Sequence, residues 1–271
     1  MGHNSHLTSW RVTNRLALAC LCGFVICSHT DAQAQNTPAQ KGYYVLQYSG
    51  LTLGRVRTER IDERNHYSMS IDTKSKSFAA LFSPFQTIAH VEGIKKDGRY
   101  LPQHYHSNSY KSDEGDGRST DITYDIQGNI AKRLRIPLDD AWWRPEVPLS
   151  KANAATDPIT AYLTLQQKLR RNQDQGIKRT NIFTYDGRRL AKFSVTETAH
   201  RRIQFEGKSV SAIFTTIKRT PLDGYTPKEW AKYKKGDPEI TANFTDDAKP
   251  ELLRLDVALV VGKISVVKSE F

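Results

Sequence analysis

The sequence predicts a mostly β protein, a single antiparallel β-sheet domain curved into a half-barrel or spiral and carrying two short helices. Three observations carry this. Apolar and polar residues alternate at period two along most of the chain, giving each strand one dry and one wet face, as in antiparallel rather than βαβ sheets. Turn signals such as Asp186-Gly187 and Gln127-Gly128-Asn129 separate neighbouring alternating runs. No period of about 20–50 residues recurs, so a solenoid or propeller is excluded.

Residues 1–34 stand outside this pattern. Arg11 and Arg15 form a positive n-region, Leu16 to Cys27 an apolar run, and Ala32-Gln33-Ala34 a small-x-small cleavage site. The run is shorter than the roughly 20 residues that a spanning helix needs. An export signal cut after Ala34 is therefore expected, with a periplasmic product that is not transmembrane after cleavage. A lipoprotein signal is the alternative raised by Cys20, Cys22 and Cys27. Cleavage before Cys20 would leave only Leu16 to Ala19 as apolar core, and Ala17 stands where a lipobox usually carries Leu. The cut removes all three cysteines, and with them any disulfide, thiolate nucleophile or Cys-ligated metal.

Residues 35–42 read as a polar lead-in and 43–271 as a single β-rich domain. Tyr44, Leu46 and Tyr48 share one face, and Ser49-Gly50 turns toward Leu51 and Leu53. Tyr67, Met69 and Ile71 alternate with Ser68 and Ser70. Ile122, Tyr124 and Ile126 pair through Gln127-Gly128-Asn129 with Ile130, Leu134 and Ile136. Phe183 and Tyr185 lead through Asp186-Gly187, a type I′ turn pair, into Phe193 and Val195. Val210, Ala212, Phe214 and Thr216 continue the pattern, and Leu253, Leu255, Val257, Leu259 and Val261 close it before Gly262, Ile264 and Val266. Helices are expected at about 157–171, with Asp157-Pro158 as N-cap and N1, and at 227–233, where Thr226-Pro227-Lys228-Glu229 is a capping box. Phe78 to Phe82 adds a turn, and Leu138 to Ala155 is an irregular connector.

Motifs for chemistry are few. His104 and His106 flank Tyr105 and share a strand face, but a catalytic zinc usually needs three protein ligands and the spacing places no third. Asp113, Glu114 and Asp116 cluster in a turn without the EF-hand spacing and read as a solvated hairpin tip. Ser265-Val266-Val267-Lys268 matches S-x-x-K, which works on a helix; on a strand its two ends point to opposite faces. G-x-S-x-G, HExxH, Walker A and G-x-G-x-x-G patterns are absent. No catalytic residue, metal ligand or cofactor is expected.

Trp142, Trp143 and Arg144 form the candidate ligand-binding group. The two indoles would wall the mouth of a site, with Arg144 near anionic headgroups. Alternatively both plug one end of the sheet, the commoner task of large aromatics. The formal charge of +11, from 40 Lys and Arg against 29 Asp and Glu, falls by one unit with the leader. The basic residues come in short bursts, among them Lys132, Arg133 and Arg135, then Arg188-Arg189, then Lys232, Lys234 and Lys235. Each burst alone reads as a solvated face. No burst forms a nucleic-acid arm, and an exported protein rarely meets that partner. Anionic lipid or other envelope components are the expected partners, attracted by charge without specificity.

Asp157-Pro-Ile-Thr-Ala-Tyr-Leu163 and Phe183-Thr-Tyr-Asp-Gly-Arg-Arg-Leu190 resemble motifs of an exported bacterial family known as domain of unknown function 3108. The strand from Tyr44 into Gly50-Leu51-Thr52-Leu53-Gly54, and Leu101-Pro102, agree with it. The resemblance spans about Tyr43 to Ile264 and implies a periplasmic β-rich protein with no agreed catalytic residues. By fold-level analogy the architecture is similar to open β-barrels that carry lipoproteins across the periplasm. The expected function is therefore a non-enzymatic, periplasmic cell-envelope protein that binds a lipid or lipoprotein acyl chain in an apolar concavity. The alternative is an envelope protein–protein or peptidoglycan interaction module. A hydrolase built on Asp139-Asp140 is disfavoured, because adjacent carboxylates on a strand point apart.

Overall fold

The computed structural model describes residues 37–75, 85–110, 117–137, 144–176 and 178–269. The alternating runs become two meanders. The first comprises β1 (Gln40–Tyr48), β2 (Leu51–Asp62), β3 (His66–Ser75), β4 (Gln86–Lys96), β5 (Arg99–Tyr110), β6 (Arg118–Tyr124) and β7 (Ile130–Ile136). The second comprises β8 (Arg179–Tyr185), β9 (Leu190–Phe205), β10 (Lys208–Asp223), β11 (Ile240–Thr245), β12 (Leu252–Ala258) and β13 (Lys263–Lys268). Each strand pairs antiparallel with its sequence neighbour, and β1 pairs with β13, with Tyr44 opposite Lys268 and Tyr48 opposite Ile264. The result is one 13-stranded antiparallel sheet with β7 and β8 as its two edges, not closed by a β7–β8 ladder. Strand β1 begins at Gln40, so residues 40–42 of the polar lead-in belong to the sheet.

Turn chemistry sets the hairpins. Asp97-Gly98 and Glu206-Gly207 have positive φ at both positions, as two-residue turns matched to the sheet twist require. Asp186-Gly187 differs from the type I′ expectation. It opens a four-residue loop between Tyr185 and Leu190, in which only Gly187 has positive φ. The Asp186 carboxylate accepts the N–H groups of Arg188 (2.8 Å) and Arg189 (2.6 Å), an Asx turn that competes with the tighter hairpin.

Three helices occur among the described residues, where two were expected: α1 (Leu149–Ala152), α2 (Pro158–Gln175) and α3 (Pro227–Lys234). Helix α1 lies in the segment read as an irregular connector. Its four residues are too few for periodicity to register, and Ala152 is buried within it. The Asp157 carboxylate caps α2 by accepting from Ile159 N (2.9 Å) and Thr160 N (2.8 Å). The helix runs four residues past Arg171 because nothing stops it before Gly176, which adopts the left-handed conformation at φ 66°. The capping box Thr226–Glu229 opens α3 as expected.

Helix α2 lies where it does because the chain must pass from one sheet edge, β7, to the other, β8, and the curved sheet brings these edges together. The helix is buried on two sides. Ile159 and Leu163 pack with Tyr67, Val91, Tyr105 and Ile122 in a core over the first meander. Ala161, Leu165 and Leu169 pack with Ile182, Val195, Ile213 and Phe244 over the second. The hydroxyls of Tyr67 and Thr160 meet at 2.9 Å, and Gln166 donates to Pro250 O (2.6 Å) and accepts from Arg60 (3.0 Å). Before the helix, Thr156 pairs with Thr184 and covers part of the β8 edge, which would otherwise offer unpaired backbone groups.

Candidate functional site

Side chains rather than backbone bridge the two sheet edges. Arg188, 7% exposed, reaches from the β8–β9 loop to Ser119 O (3.2 Å), the Thr120 hydroxyl, Ile136 O (3.2 Å) and Pro137 O (3.3 Å). Arg133 of β7 donates to the Tyr185 hydroxyl, to Glu146 and to Val147 O (3.2 Å). Both arginines belong to bursts read as solvated. The fold instead buries them as latches, because guanidinium forks satisfy the orphan carbonyls where a ladder would have run.

Between α2 and strands β8–β12 the packing is incomplete. A cavity of about 410 Å³ remains, walled by Ala161, Leu165, Ile182, Ala191, Val195 and Leu255. An engineered apolar cavity of about 150 Å³ accepts benzene. By that proportion this one holds on the order of 16 carbon atoms. Ala161 of α2 and Ala191 of β9 are the smallest side chains in an otherwise bulky lining.

The cavity opens past Asp186, Arg189, Arg219 and Tyr225. Arg189, Arg219 and Tyr225 also line an outer basin of about 630 Å³ bounded by Lys232, Lys235, Leu259 and Val260. A charged network stiffens this mouth. Glu229 receives Arg144 (3.1 and 3.2 Å) and Arg189 (2.8 and 3.1 Å). Burial opposes its ionisation, but the Arg144 hydrogen bond, the Thr226 N–H and the charge of Arg189 prevail and hold its carboxyl down at about 2. Arg219 pairs with Asp237 (3.2 Å) and stands 4.6 Å over the Tyr233 ring. Tyr225 stacks edge-on against Tyr233 at 5.4 Å, and burial raises its hydroxyl pKa. The mouth therefore offers an apolar slot inside and fixed charges of both signs at its rim.

Of the residues singled out from sequence, Trp142 and Trp143 lie outside the described residues, as do Asp139-Asp140 and Asp113, Glu114 and Asp116. Arg144 is described and is 2% exposed. Its guanidinium is committed to Glu229 and to Gly224 O (2.7 Å), so it braces the mouth from behind and does not face an external headgroup. Gly224, at φ 74°, makes this possible: a Cβ there would stand 2.0 Å from Arg188 O. Ser265 bonds Asp256 (2.6 Å) while Lys268 pairs with Glu251 (2.5 Å), so the S-x-x-K pair has separate partners. His104 and His106 share one carboxylate, Asp121, at 3.0 and 3.3 Å. The register sets His90 directly opposite His106, a neighbour that sequence spacing did not disclose. His90 meets the Ser70 hydroxyl at 2.9 Å, and burial, joined by the charges of His104 and His106, lowers its pKa. Among the described residues no group of three or more such side chains is arranged to hold a metal ion.

The cavity and its mouth were not legible from motifs. The signals available were the alanines in otherwise bulky alternating runs and the capping box beside three lysines. None of the helices among the described residues is long and apolar enough to cross a membrane. A crystal structure of a beta-barrel-like protein of domain of unknown function DUF1849 from Brucella abortus is similar, at 12% identity and a TM-score of 0.47, with 87% of this chain and 97% of that chain covered. No curated protein matches the chain. The sequence profile described as "Protein of unknown function (DUF3108)" matches residues 43–268, and the chain belongs to that family.

Proposed function

We propose that the protein is a non-enzymatic carrier or sensor of the cell envelope that receives the acyl chain of a lipid or lipid-modified protein in the cavity beside α2. The observation that carries this is the apolar cavity of about 410 Å³ with charged groups confined to its mouth. That polarity matches an amphiphile whose tail is buried and whose head stays at the rim. A binding role is supported by the lining itself. It holds no Ser, Cys or His among the described residues, and its arginines and carboxylates are already tied to one another. The envelope location rests on the N-terminal segment, whose positive start, apolar run and Ala32-Gln33-Ala34 have the form of an export signal.

The test is organic extraction and mass spectrometry of protein purified without detergent, together with titration by a dansyl-labelled fatty acid. A co-purifying acyl lipid, or saturable fluorescence enhancement displaced by unlabelled fatty acid, is the expected result. Protein that carries no lipid and shows no saturable uptake overturns the proposal.

A further inference from the structure

Among the described residues, four exposed aliphatic side chains, one of them the most exposed of all, gather at one pair of turns. In the β12–β13 hairpin, Val260 is 105% exposed, Val261 73% and Leu259 41%; Leu51, the first residue of β2 after the β1–β2 turn, is 68% exposed. The two turns are tied together: Ser49 N donates to Lys263 O (2.9 Å) and the Tyr48 hydroxyl to Val261 O (2.9 Å). Leucine and valine held in water by an ordered turn cost free energy that a purely structural loop avoids by using polar residues. Leu259 and Val260 also form part of the basin outside the cavity mouth.

Across that basin stands α3. Lys228, Lys232 and Lys235 are spaced i, i+4, i+7 and so share one side of the helix; all three are exposed. None of them forms an ion pair among the described residues. The rim carboxylates Glu229 and Asp237 are taken up by Arg144, Arg189 and Arg219, which leaves Glu239 as the remaining acid of the basin lining.

We infer that the Leu259–Val261 tip with Leu51, together with the lysine side of α3, docks the protein on an anionic lipid bilayer with the cavity mouth turned toward it. This rests on the reading of the cavity as an acyl-chain site and names the surface that supplies or receives the chain. Shape and area favour a bilayer over a folded partner. At roughly 60–120 Å² apiece, four aliphatic chains fall well short of the ~800 Å² per partner that a stable protein interface buries. Protruding tips insert into a soft medium, and the lysines meet phosphate headgroups rather than a matching set of carboxylates. Each lysine close to an anionic surface is worth about fivefold in partitioning, so three favour anionic over neutral vesicles by on the order of 100-fold.

The experiment is flotation of the full chain with vesicles of phosphatidylcholine alone or mixed with phosphatidylglycerol. It is run for the natural protein, for Val260→Asp/Val261→Asp and for Lys228→Gln/Lys232→Gln/Lys235→Gln. Comparison between variants holds the N-terminal apolar run constant. The natural protein is expected to float with the phosphatidylglycerol vesicles. The tip variant should lose at least about tenfold in partitioning on both vesicle types. The lysine variant should lose its preference for phosphatidylglycerol, while both variants keep an unchanged melting temperature. Flotation that the tip variant does not weaken, or no flotation by a protein that takes up the fatty acid, overturns the docking inference and leaves the cavity reading standing. Tip-dependent flotation without fatty-acid uptake removes the cavity reading instead. A dimer of the natural protein abolished by Val260→Asp/Val261→Asp, without vesicle binding, assigns the tip to a second copy of this chain and also overturns it.

Discussion

Ala161 lies on α2 at the cavity wall, 5% exposed, and its replacement by leucine separates a working cavity from mere loose packing. Ala161→Leu adds three carbons to the void. At about 0.8 kcal/mol per buried carbon this stabilises by ~2.4 kcal/mol, from which ~0.5–1 kcal/mol of leucine rotamer entropy is subtracted. The net gain of about 1.5 kcal/mol corresponds to a melting temperature higher by about 3–6 °C for a domain of this size. The same three carbons displace three from a bound chain, a loss of ~2.4 kcal/mol or roughly 50-fold in affinity. Thermal melts by circular dichroism and titration with a dansyl-labelled fatty acid read the two effects separately. A rise in melting temperature paired with weaker uptake is expected. A melting temperature lowered by more than about 3 °C shows that the wall has no room, and unchanged uptake shows that the chain binds elsewhere; either result refutes the reasoning.

Three further outcomes follow from the geometry. Glu229→Gln leaves the buried Arg144 guanidinium without its carboxylate and costs about 2 kcal/mol, below the ~3–5 kcal/mol of a fully buried pair because Glu229 stays 27% exposed. The pH dependence has a definite sign. With a folded pKa near 2 against an ordinary 4.5, the pair's contribution is fully present above pH 4.5 and is lost as pH falls toward 2, so acid melts of the natural protein and Glu229→Gln should converge there. Asp157→Ala removes the α2 cap and costs ~1–2 kcal/mol, whereas Asp157→Asn keeps both hydrogen bonds without a buried charge and leaves chemical-denaturation stability equal or higher. His90 binds protons more weakly in the fold than in the unfolded chain, so its contribution is present above its ordinary 6.5 and lost as pH falls below it; melting temperature should drop less in His90→Gln over that window.

The strands were legible because each has one wet and one dry side, and that pattern is local. Tyr67, Met69 and Ile122 declared their faces through their immediate neighbours and lie in the core as expected. Asp157 and Thr226 declared helix starts through side-chain chemistry confined to a single turn. What escaped depends on residues distant in sequence. Arg133 and Arg188 looked like surface charge because nothing in a linear pattern says that two sheet edges will meet, or that carbonyls there will need donors. Arg144 was drawn to an outer surface by the tryptophans beside it, yet its partner Glu229 lies far along the chain on α3. His90 joined His106 only through strand register, and the cavity arises only where α2 meets strands β8 to β12, parts of the chain distant in sequence. Four-residue α1 fell below the length at which helical periodicity can be recognised.

The β1–β13 pairing gives assembly of this domain a seam. Every other ladder joins strands that follow one another in the chain, so each meander can form from short hairpins as its residues are made. The seam alone joins the two ends of the domain, and its loop-closure entropy is met last. Until β13 is synthesised, β1 and β12 are both bare edges able to recruit strands from other molecules. Loss of the six residues Lys263–Lys268 would therefore act like an opened zip in the middle of the sheet, splitting one domain into two sticky halves and baring the strand that carries Leu255 of the cavity wall.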